Sequence, residues 1–285
     1  MKRERTAIDG NTLVPVIALC LTVLFTASGS QIPRYDGRRA DPQVKRGASL
    51  FRAGDLDGAR GCFEQAIRLA PDDVEAWKDL GWVYVTQGHW DQAEPAFRRA
   101  CDLSPKDEDA CYALGRTDYA LTRLEDAIAA YNAYKKSLQR SRRIWRADNG
   151  IALALEGLGR SEDAKRLFRE AIKAYDGTAN SDFDPRIDYG AFLFRQGRLG
   201  EALRELQTAV EALPRSAKAH FELARTLVQL GRLEAAAAHL NAAVTIDPNN
   251  GPAQLLLGKV YFRLGRIAEA ESHTQIGEKL MAEKP

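Results

Sequence analysis

Apolar residues along much of the chain recur three and four positions apart, which is the spacing that gives an α-helix one buried face. These stretches come in pairs, and a turn residue, usually glycine, separates the two members of each pair. The segment DLGWVYVTQGHW, Asp79–Trp90, departs from this pattern, because Trp82 to Val85 favour a strand by propensity and Gly81 stands directly before them. The paired pattern around it nevertheless predicts a helix, followed by a turn at Gly88.

The paired pattern repeats with a period of 34 residues, apart from three extra residues before Gly159 and four before Gly197. Each unit has a turn residue and, five positions later, an alanine. A period of this length is typical of a stacked array in which each unit contacts only its neighbours. The turn residues are Gly54, Gly88, Thr122, Gly159, Gly197, Gly231 and Gly265, and the alanines are Ala59, Ala93, Ala127, Ala164, Ala202, Ala236 and Ala270.

Small residues in the first helix of each unit predict that its two helices cross closely. Gly81 is one of them, and a glycine inside a helix costs about 1 kcal/mol relative to alanine. Burial of neighbouring apolar side chains at about 1.5 to 3 kcal/mol each offsets that cost. The small residues are Gly47, Gly81, Gly115, Ala152, Gly190, Ala224 and Gly258, and bulk beside them comes from Phe63, Phe97, Tyr131, Phe168, Leu206 and Leu240.

The second unit carries a motif that resembles the tetratricopeptide repeat family, through Trp77, Leu80, Gly81, Tyr84, Ala93, Phe97, Ala100 and Pro105. The resemblance implies an all-α fold, a right-handed α-solenoid of about seven helix-turn-helix repeats. The repeats are expected at residues 40–73, 74–107, 108–141, 145–178, 183–216, 217–250 and 251–284.

The resemblance also implies a concave groove lined by the first helix of each repeat. Four positions of each repeat are expected to point into it, and aromatic side chains there, Trp82 above all, suit the binding of a protein segment. The alternative is that these aromatic rings pack on one another along a tightly wound superhelix. The expected groove residues are Lys78, Trp82, Tyr112, Arg116, Tyr119, Arg146, Asn149, Phe194, Phe221, Arg225, Lys259 and Phe262.

One subclass of the family binds C-terminal carboxylates through a clamp of lysine, asparagine and arginine side chains. Lys78 matches the first position of that clamp, but Trp82 and Ala113 occupy two of its asparagine positions. The sequence therefore does not support that ligand. The mixed aromatic and basic groove favours an extended or helical partner segment with apolar and acidic residues.

The N-terminus differs from the repeats and is expected to direct export. Lys2, Arg3 and Arg5 precede an apolar run of 15 residues at 13–27, and small residues follow it. This layout indicates a signal peptide within residues 1–30, cleaved after Gly29 or Ser30, with a linker at 31–39. An uncleaved signal anchor is the alternative, because arginines follow the run. Both place the repeats in the periplasm or on the outer side of the cytoplasmic membrane.

Composition adds limits on function. The chain has 285 residues, 45% of them hydrophobic, and a net charge of +2, which gives no global preference for nucleic acid or an anionic membrane surface. Apart from Cys20 in the apolar run, three cysteines remain, and we expect them to be small buried residues, although Cys101 and Cys111 are close enough in sequence to pair.

No catalytic or metal-binding motif accompanies the repeats, so we expect no enzyme activity, no cofactor and no metal. The four histidines, His89, His220, His239 and His273, are scattered over different repeats. A non-enzymatic scaffold of the cell envelope that binds a protein partner is the favoured function. Alternatives are an assembly helper for polysaccharide export or pilus biogenesis and an enzyme with an unrecognised site; nucleic-acid binding has only the basic stretch from Lys135 to Arg146 in its favour.

Three local departures from the pattern yield further predictions. The third repeat has Asp118, Tyr134 and Gln139 at the usual aromatic, alanine and proline positions, which predicts one long helix from Arg123 to Arg143. Polar residues in the last repeat predict a capping helix. The segment 176–185 is expected to be a loop between the fourth and fifth repeats.

Overall fold

The computed structural model describes residues 42–138, 143–175, 177 and 183–282. Within these residues the chain forms fourteen α-helices and no β-strand, which confirms the expected all-α solenoid. The helices are α1 Pro42–Ala53, α2 Leu56–Leu69, α3 Val74–Thr86, α4 Trp90–Leu103, α5 Glu108–Ala120, α6 Leu124–Ser137, α7 Ile144–Gly157, α8 Ser161–Ala174, α9 Pro185–Arg195, α10 Leu199–Ala212, α11 Ala217–Gln229, α12 Leu233–Ile246, α13 Gly251–Arg263 and α14 Ile267–Ala282.

The helices form two layers. Each helix packs against the next one in sequence, and the odd-numbered helices, which are the first members of the repeats, also contact each other directly, as α7 and α11 contact α9. Among the described residues, the even-numbered helices of neighbouring repeats make marginal contacts at most. Because the first helices lie closer together than the second, they line the inner, concave side of the array.

Close crossing within a repeat accounts for Gly81. A Cβ atom added there would lie 2.7 Å from the Phe97 ring of α4, closer than real Cβ contacts allow. The expected interior is confirmed: the alanines that follow the turns and the bulky residues beside them are all buried. Packing therefore overrides the strand propensity of Trp82 to Val85, and the segment is helix α3.

The turns between paired helices need a left-handed backbone residue. Gly88 ends α3 with φ +80°, and the His89 N–H donates to the Tyr84 carbonyl oxygen at 2.8 Å. In the third repeat Thr122 adopts the same conformation, with φ +59°, and is the only non-glycine with positive φ among the described residues. A β-branched residue in this region is strained, since its Cβ approaches the backbone.

Most first helices begin at side-chain caps, although α7 has none, whereas most second helices begin directly after the turn. Asp73, Asp107, Ser216 and Asn250 each accept a hydrogen bond from the backbone N–H three residues later. These caps satisfy one of the four unpaired N–H groups at each helix start. They fix where each inner helix begins and thus the register of its inner face.

The long helix expected from Arg123 to Arg143 is wrong. Helix α6 ends at Ser137, and Arg143 belongs to the turn before α7. The Ser137 hydroxyl donates to the Tyr134 carbonyl oxygen at 2.7 Å, and Leu138 is buried. Burial of Leu138 and of Trp145 on α7 requires the chain to turn back onto the array.

Several predictions fall on residues outside the described ranges. These are the signal segment 1–30, the linker 31–39, Gln139, and residues 176 and 178–182 of the expected loop. None of the helices in the described part of the chain combines the length and apolar character that crossing a bilayer requires.

Candidate functional site

The expected groove residues lie on the first helices of the repeats, the layer that faces the concave side. Helix α3 carries Lys78 and Trp82, α5 carries Tyr112, Arg116 and Tyr119, α7 carries Arg146 and Asn149, α9 carries Phe194, α11 carries Phe221 and Arg225, and α13 carries Lys259 and Phe262. Their burial differs widely. Their role in binding stays a prediction.

Trp82 is half-buried, although the sequence suggested an exposed ring. Its indole packs edge-on against Phe97, with ring centroids 5.3 Å apart and an interplanar angle of 75°. This geometry is favourable for aromatic pairs and fixes the orientation of the indole. Trp82 therefore contributes to packing while part of its surface stays exposed.

Lys78 is buried and engaged within the chain, contrary to the expectation of a groove cation. Its Nζ atom lies 2.9 Å from Glu75 Oε1 and 3.2 Å from Asp107 Oδ2. Burial by itself lowers the pKa of Lys78, but the two carboxylates outweigh it and raise the pKa above its usual value. Lys78 thus ties α3 to the start of α5.

Asn149 is likewise buried and links successive repeats. Its amide donates to Asp188 Oδ2 at 2.8 Å, and Lys218 donates to Asp188 Oδ1 at 2.6 Å. Asp188 therefore joins α7, α9 and α11 from the middle of the inner layer. Asp188 was not among the predicted site residues. The available signal was a carboxyl group at the sixth position of three repeats, Asp79, Asp188 and Glu222, where other repeats have Ala113 or Gly150.

Tyr112, Trp145 and Arg146 form what we call the tyrosine–arginine site. The Arg146 guanidinium carbon lies 5.9 Å from the Tyr112 ring centroid and 5.5 Å from that of Trp145. Arg116 lies 6.0 Å from the same Tyr112 ring. Two cations on neighbouring repeats therefore approach one aromatic ring, in the range where cation–π attraction acts.

Phe194, Phe221 and Arg225 form what we call the phenylalanine–arginine site. The Arg225 guanidinium lies 4.7 Å from the Phe194 ring centroid and 5.7 Å from that of Phe221. Its Nη1 atom also donates to Glu222 Oε2 at 2.8 Å. The charge of this arginine is therefore already balanced within the chain.

The remaining groove candidates differ in exposure. Tyr119 is half-buried near the end of α5, whereas Lys259 is exposed on α13 and Phe262 is 67% exposed. A large apolar side chain with that exposure offers contact area to a partner.

Asp79 is a buried carboxyl group that was not among the predicted site residues. It is 7% exposed, and its Oδ1 atom is buried without a hydrogen-bond partner. Burial raises the pKa of Asp79 to about 7, and the nearby Glu75 carboxylate adds to the shift. A carboxyl group that is buried without hydrogen bonds is costly to ionise.

Cys101 and Cys111 form a disulfide, whereas the sequence favoured small buried thiols. The bond joins the end of α4 to the beginning of α5, with Cα atoms 4.9 Å apart. Cys62 is buried and free. The helical period predicted both helices but not how closely their ends approach across the turn.

His220, His239 and His273 have side-chain contacts with other parts of the array, and no cluster of three or more metal-ligating side chains occurs in the described part of the chain. His220 Nδ1 lies 3.0 Å from His239 Nδ1, and His220 Nε2 lies 3.1 Å from the Pro214 carbonyl oxygen. Trp77 and Gln254 at equivalent positions donate to Pro71 and Pro248 carbonyl oxygens. The contact between His220 and the Pro214 carbonyl oxygen therefore recurs at the same position of other repeats and belongs to the repeat architecture.

Family models for the tetratricopeptide repeat match residues 44–108, 85–148, 193–251 and 251–275. The chain belongs to the tetratricopeptide repeat family. None of these matches extends into residues 149–192, where the repeat spacing is irregular. Proteins of this family bind protein partners, and they are generally scaffolds without catalysis.

Relatives and solved structures agree on the fold. Human Superkiller complex protein 3 is 24% identical over 147 residues, which is 51% of this chain but only 9% of that protein. A tetratricopeptide repeat protein from Parabacteroides merdae superposes with a TM-score of 0.64 at 17% identity, over 84% of this chain and 92% of that one. A chain of the APC/C hetero-tetramer Cut9–Hcn1 gives a TM-score of 0.63 at 16% identity, over 95% of this chain and 50% of that one.

Proposed function

We propose that the chain is a non-enzymatic scaffold that binds a segment of a protein partner along the concave face of its repeats. The observation that carries the proposal is the row of half-buried aromatic side chains on the first helices, at Trp82, Tyr112, Tyr119 and Phe221. Partly exposed aromatic rings held by packing are efficient binding anchors, because little conformational freedom is lost when a partner covers them. Tetratricopeptide proteins bind protein partners, which supports this assignment.

The partner segment is proposed to carry apolar and acidic residues. Arginines lie against the rings at both the tyrosine–arginine site and the phenylalanine–arginine site. Apolar side chains suit the rings, and acidic ones suit the guanidinium groups. An extended or helical segment would meet these features in succession as it crosses neighbouring repeats.

A double substitution of Trp82→Ala and Tyr119→Ala tests the groove. The binding partner would first be captured by proximity crosslinking from native cells, and its affinity for the purified full-length chain then measured. We expect the double variant to bind at least tenfold more weakly, because each ring contributes contact area.

The control is Leu69→Ser, which removes an apolar side chain that is 69% exposed at the end of the outer helix α2. Circular dichroism and thermal unfolding of all variants would show whether the array is intact, since Trp82 also packs on Phe97. Equal affinity of the folded double variant and the wild type would reject groove binding.

The proposed location is the periplasm or the outer side of the cytoplasmic membrane, with the N-terminal segment as a cleaved signal or an anchor. The Cys101–Cys111 disulfide supports export, since such bonds persist mainly in oxidising compartments. N-terminal sequencing of the protein recovered from its native cells tests this. A start near Ser30 or Gln31 supports cleavage, an intact Met1 in the membrane fraction supports an anchor, and a soluble chain with an intact Met1 argues against export.

A further inference from the structure

Most of the buried and half-buried cations of the inner layer are matched to carboxylates within the chain. Lys78 contacts Glu75 and Asp107, and Lys218 contacts Asp188. Arg195 also reaches back to Glu156, with two hydrogen bonds of 2.6 and 2.7 Å. Several of these pairs cross from one repeat to the next, so they hold the repeats in register.

Arg146 is different. Its side chain is half-buried on the inner helix α7, and no carboxylate oxygen lies within 4.0 Å of its guanidinium nitrogens among residues 42–138, 143–175 and 183–282. Nearby carboxylates have other partners, since Asp148 pairs with Lys135 and Glu108 with Arg143.

The rings that hold Arg146 are themselves fixed. Tyr112 packs against Tyr131 and Tyr134, with ring centroids 5.8 and 5.3 Å apart. Trp145 is 2% exposed and stacks on Phe183 with an interplanar angle of 4°. The guanidinium is therefore oriented before any ligand arrives, which reduces the entropy lost on binding.

A single carboxylate suits this site better than a polyanion. A guanidinium binds a carboxylate through charge-assisted hydrogen bonds, and the flanking rings leave its N–H edge as the polar surface. A nucleic acid presents a row of phosphates, but Lys78, Lys218 and Arg225 of the inner layer are already paired with carboxylates of the chain. One acidic side chain needs only Arg146.

We propose that Arg146 is the anchor that pairs with one Glu or Asp side chain of the bound protein segment. This inference rests on the proposed function and assigns specificity to one residue of the groove. At the phenylalanine–arginine site, by contrast, a carboxylate of the partner has to compete with Glu222 for Arg225. The acidic residue is therefore selected at the junction of the third and fourth repeats.

The test selects binders from a library of short random peptides with the full-length wild-type chain, with Arg146→Gln and with Arg68→Gln. Arg68→Gln is the matched control, because it removes an exposed arginine from the outer helix α2, away from the groove. We expect wild type and Arg68→Gln to select acidic peptides and Arg146→Gln to lose that preference. A selected peptide should bind Arg146→Gln about tenfold more weakly in fluorescence anisotropy.

Two comparisons decide between specific pairing and a general charge effect. Replacing the acidic residue of the peptide by Gln should weaken binding to wild type but not to Arg146→Gln, so that the two changes are not additive. Arg146→Lys should restore only part of the affinity, because an ammonium group lacks the planar fork. Additive effects, or acidic peptides still selected by Arg146→Gln, would overturn the anchor while leaving groove binding intact. Failure to select any peptide, together with binding of a single-stranded RNA probe, would overturn both proposals.

Discussion

The two halves of the inner layer use the same helix packing but handle buried charge differently. In the C-terminal half, Asp188 pairs with Asn149 and Lys218, and Glu222 pairs with Arg225. In the N-terminal half, Asp79 has a buried oxygen without a hydrogen bond, and Arg146 lacks a carboxylate partner among the described residues. Asp188 and Glu222 in the C-terminal half therefore stabilise the array. In the N-terminal half Lys78 is also paired, with Glu75 and Asp107, but Asp79 costs stability and Arg146 is available for a ligand.

Asp118 on the inner helix α5 extends the contrast within the N-terminal half. It is fully buried at a position that is Tyr84 or Leu155 in neighbouring repeats, and Arg98 lies 3.6 Å away. Neither carboxylate oxygen has a hydrogen-bond partner, and burial raises the pKa of Asp118 to about 6. The N-terminal repeats thus keep polar groups where packing alone would favour apolar ones.

The largest predicted effect is on stability at the junction that Asp188 holds. Asp188→Asn removes the charge that Lys218 needs and should lower the free energy of unfolding by about 2 to 3 kcal/mol, because Lys218 is left partly buried without its counter-ion. Arg146→Gln should cost less than about 1 kcal/mol, since it loses only cation–π contact. Urea denaturation measures both losses of stability. Equal losses for the two variants would remove the distinction between a charge that stabilises the array and one that is available for a ligand.

A second prediction concerns pH and Asp79. The pKa of Asp79 is about 7 in the folded chain and near 3.8 in the unfolded chain. Folding therefore favours the protonated carboxyl group over the carboxylate. Its contribution to stability is complete below about pH 4 and is lost as the pH rises through 7. Asp79→Asn should therefore raise the free energy of unfolding by about 2 kcal/mol at pH 8 and by much less at pH 4.

The control for Asp79 is Glu222, a side-chain carboxylate in the C-terminal half that is paired with Arg225. Glu222→Gln should not stabilise the chain at pH 8, because Arg225 would lose its partner. A gain for Asp79→Asn that is the same at both pH values would show that ionisation of Asp79 is not its cause.

The smallest predicted effect concerns the turn of the third repeat. Thr122→Gly should stabilise the chain by about 0.5 to 1 kcal/mol, because glycine adopts the observed φ of +59° without the Cβ strain. Gly231→Ala in the C-terminal half is the matched opposite change, at φ +74°, and should destabilise it. Thermal unfolding of the two variants measures the pair, and a loss of stability in Thr122→Gly would mean that the threonine side chain has a stabilising contact.

The repeat period predicted most of the fold, because it records which residues must be small or bulky where helices cross. Gly81 and Phe97 are an example: their contact follows from the repeat pattern and is seen in the structure. The end of α6 at Ser137 was not predictable in this way, since it depends on how the chain docks Leu138 and Trp145 on distant helices.

The candidate site was less predictable than the fold. Repeat position predicted which residues lie on the inner helices, but not whether neighbouring repeats already satisfy them. Lys78 meets Asp107, 29 residues away, and Asn149 meets Asp188, 39 residues away. These partners become visible only when the repeats stack, and they separate structural residues such as Lys78 from a candidate anchor such as Arg146.

The Cys101–Cys111 disulfide affects how the array comes apart. Repeat arrays are held by nearest-neighbour contacts, so they open progressively from frayed ends, one unit after another. The disulfide joins the last turn of α4 to the first turns of α5, which belong to different repeats. While the bond is intact, the end of α4 and the start of α5 cannot move apart, whereas the interfaces between other repeats are restrained by the backbone connection alone. The disulfide therefore links two neighbouring repeats directly before Tyr112, at a position inside the array and not at one of its end repeats.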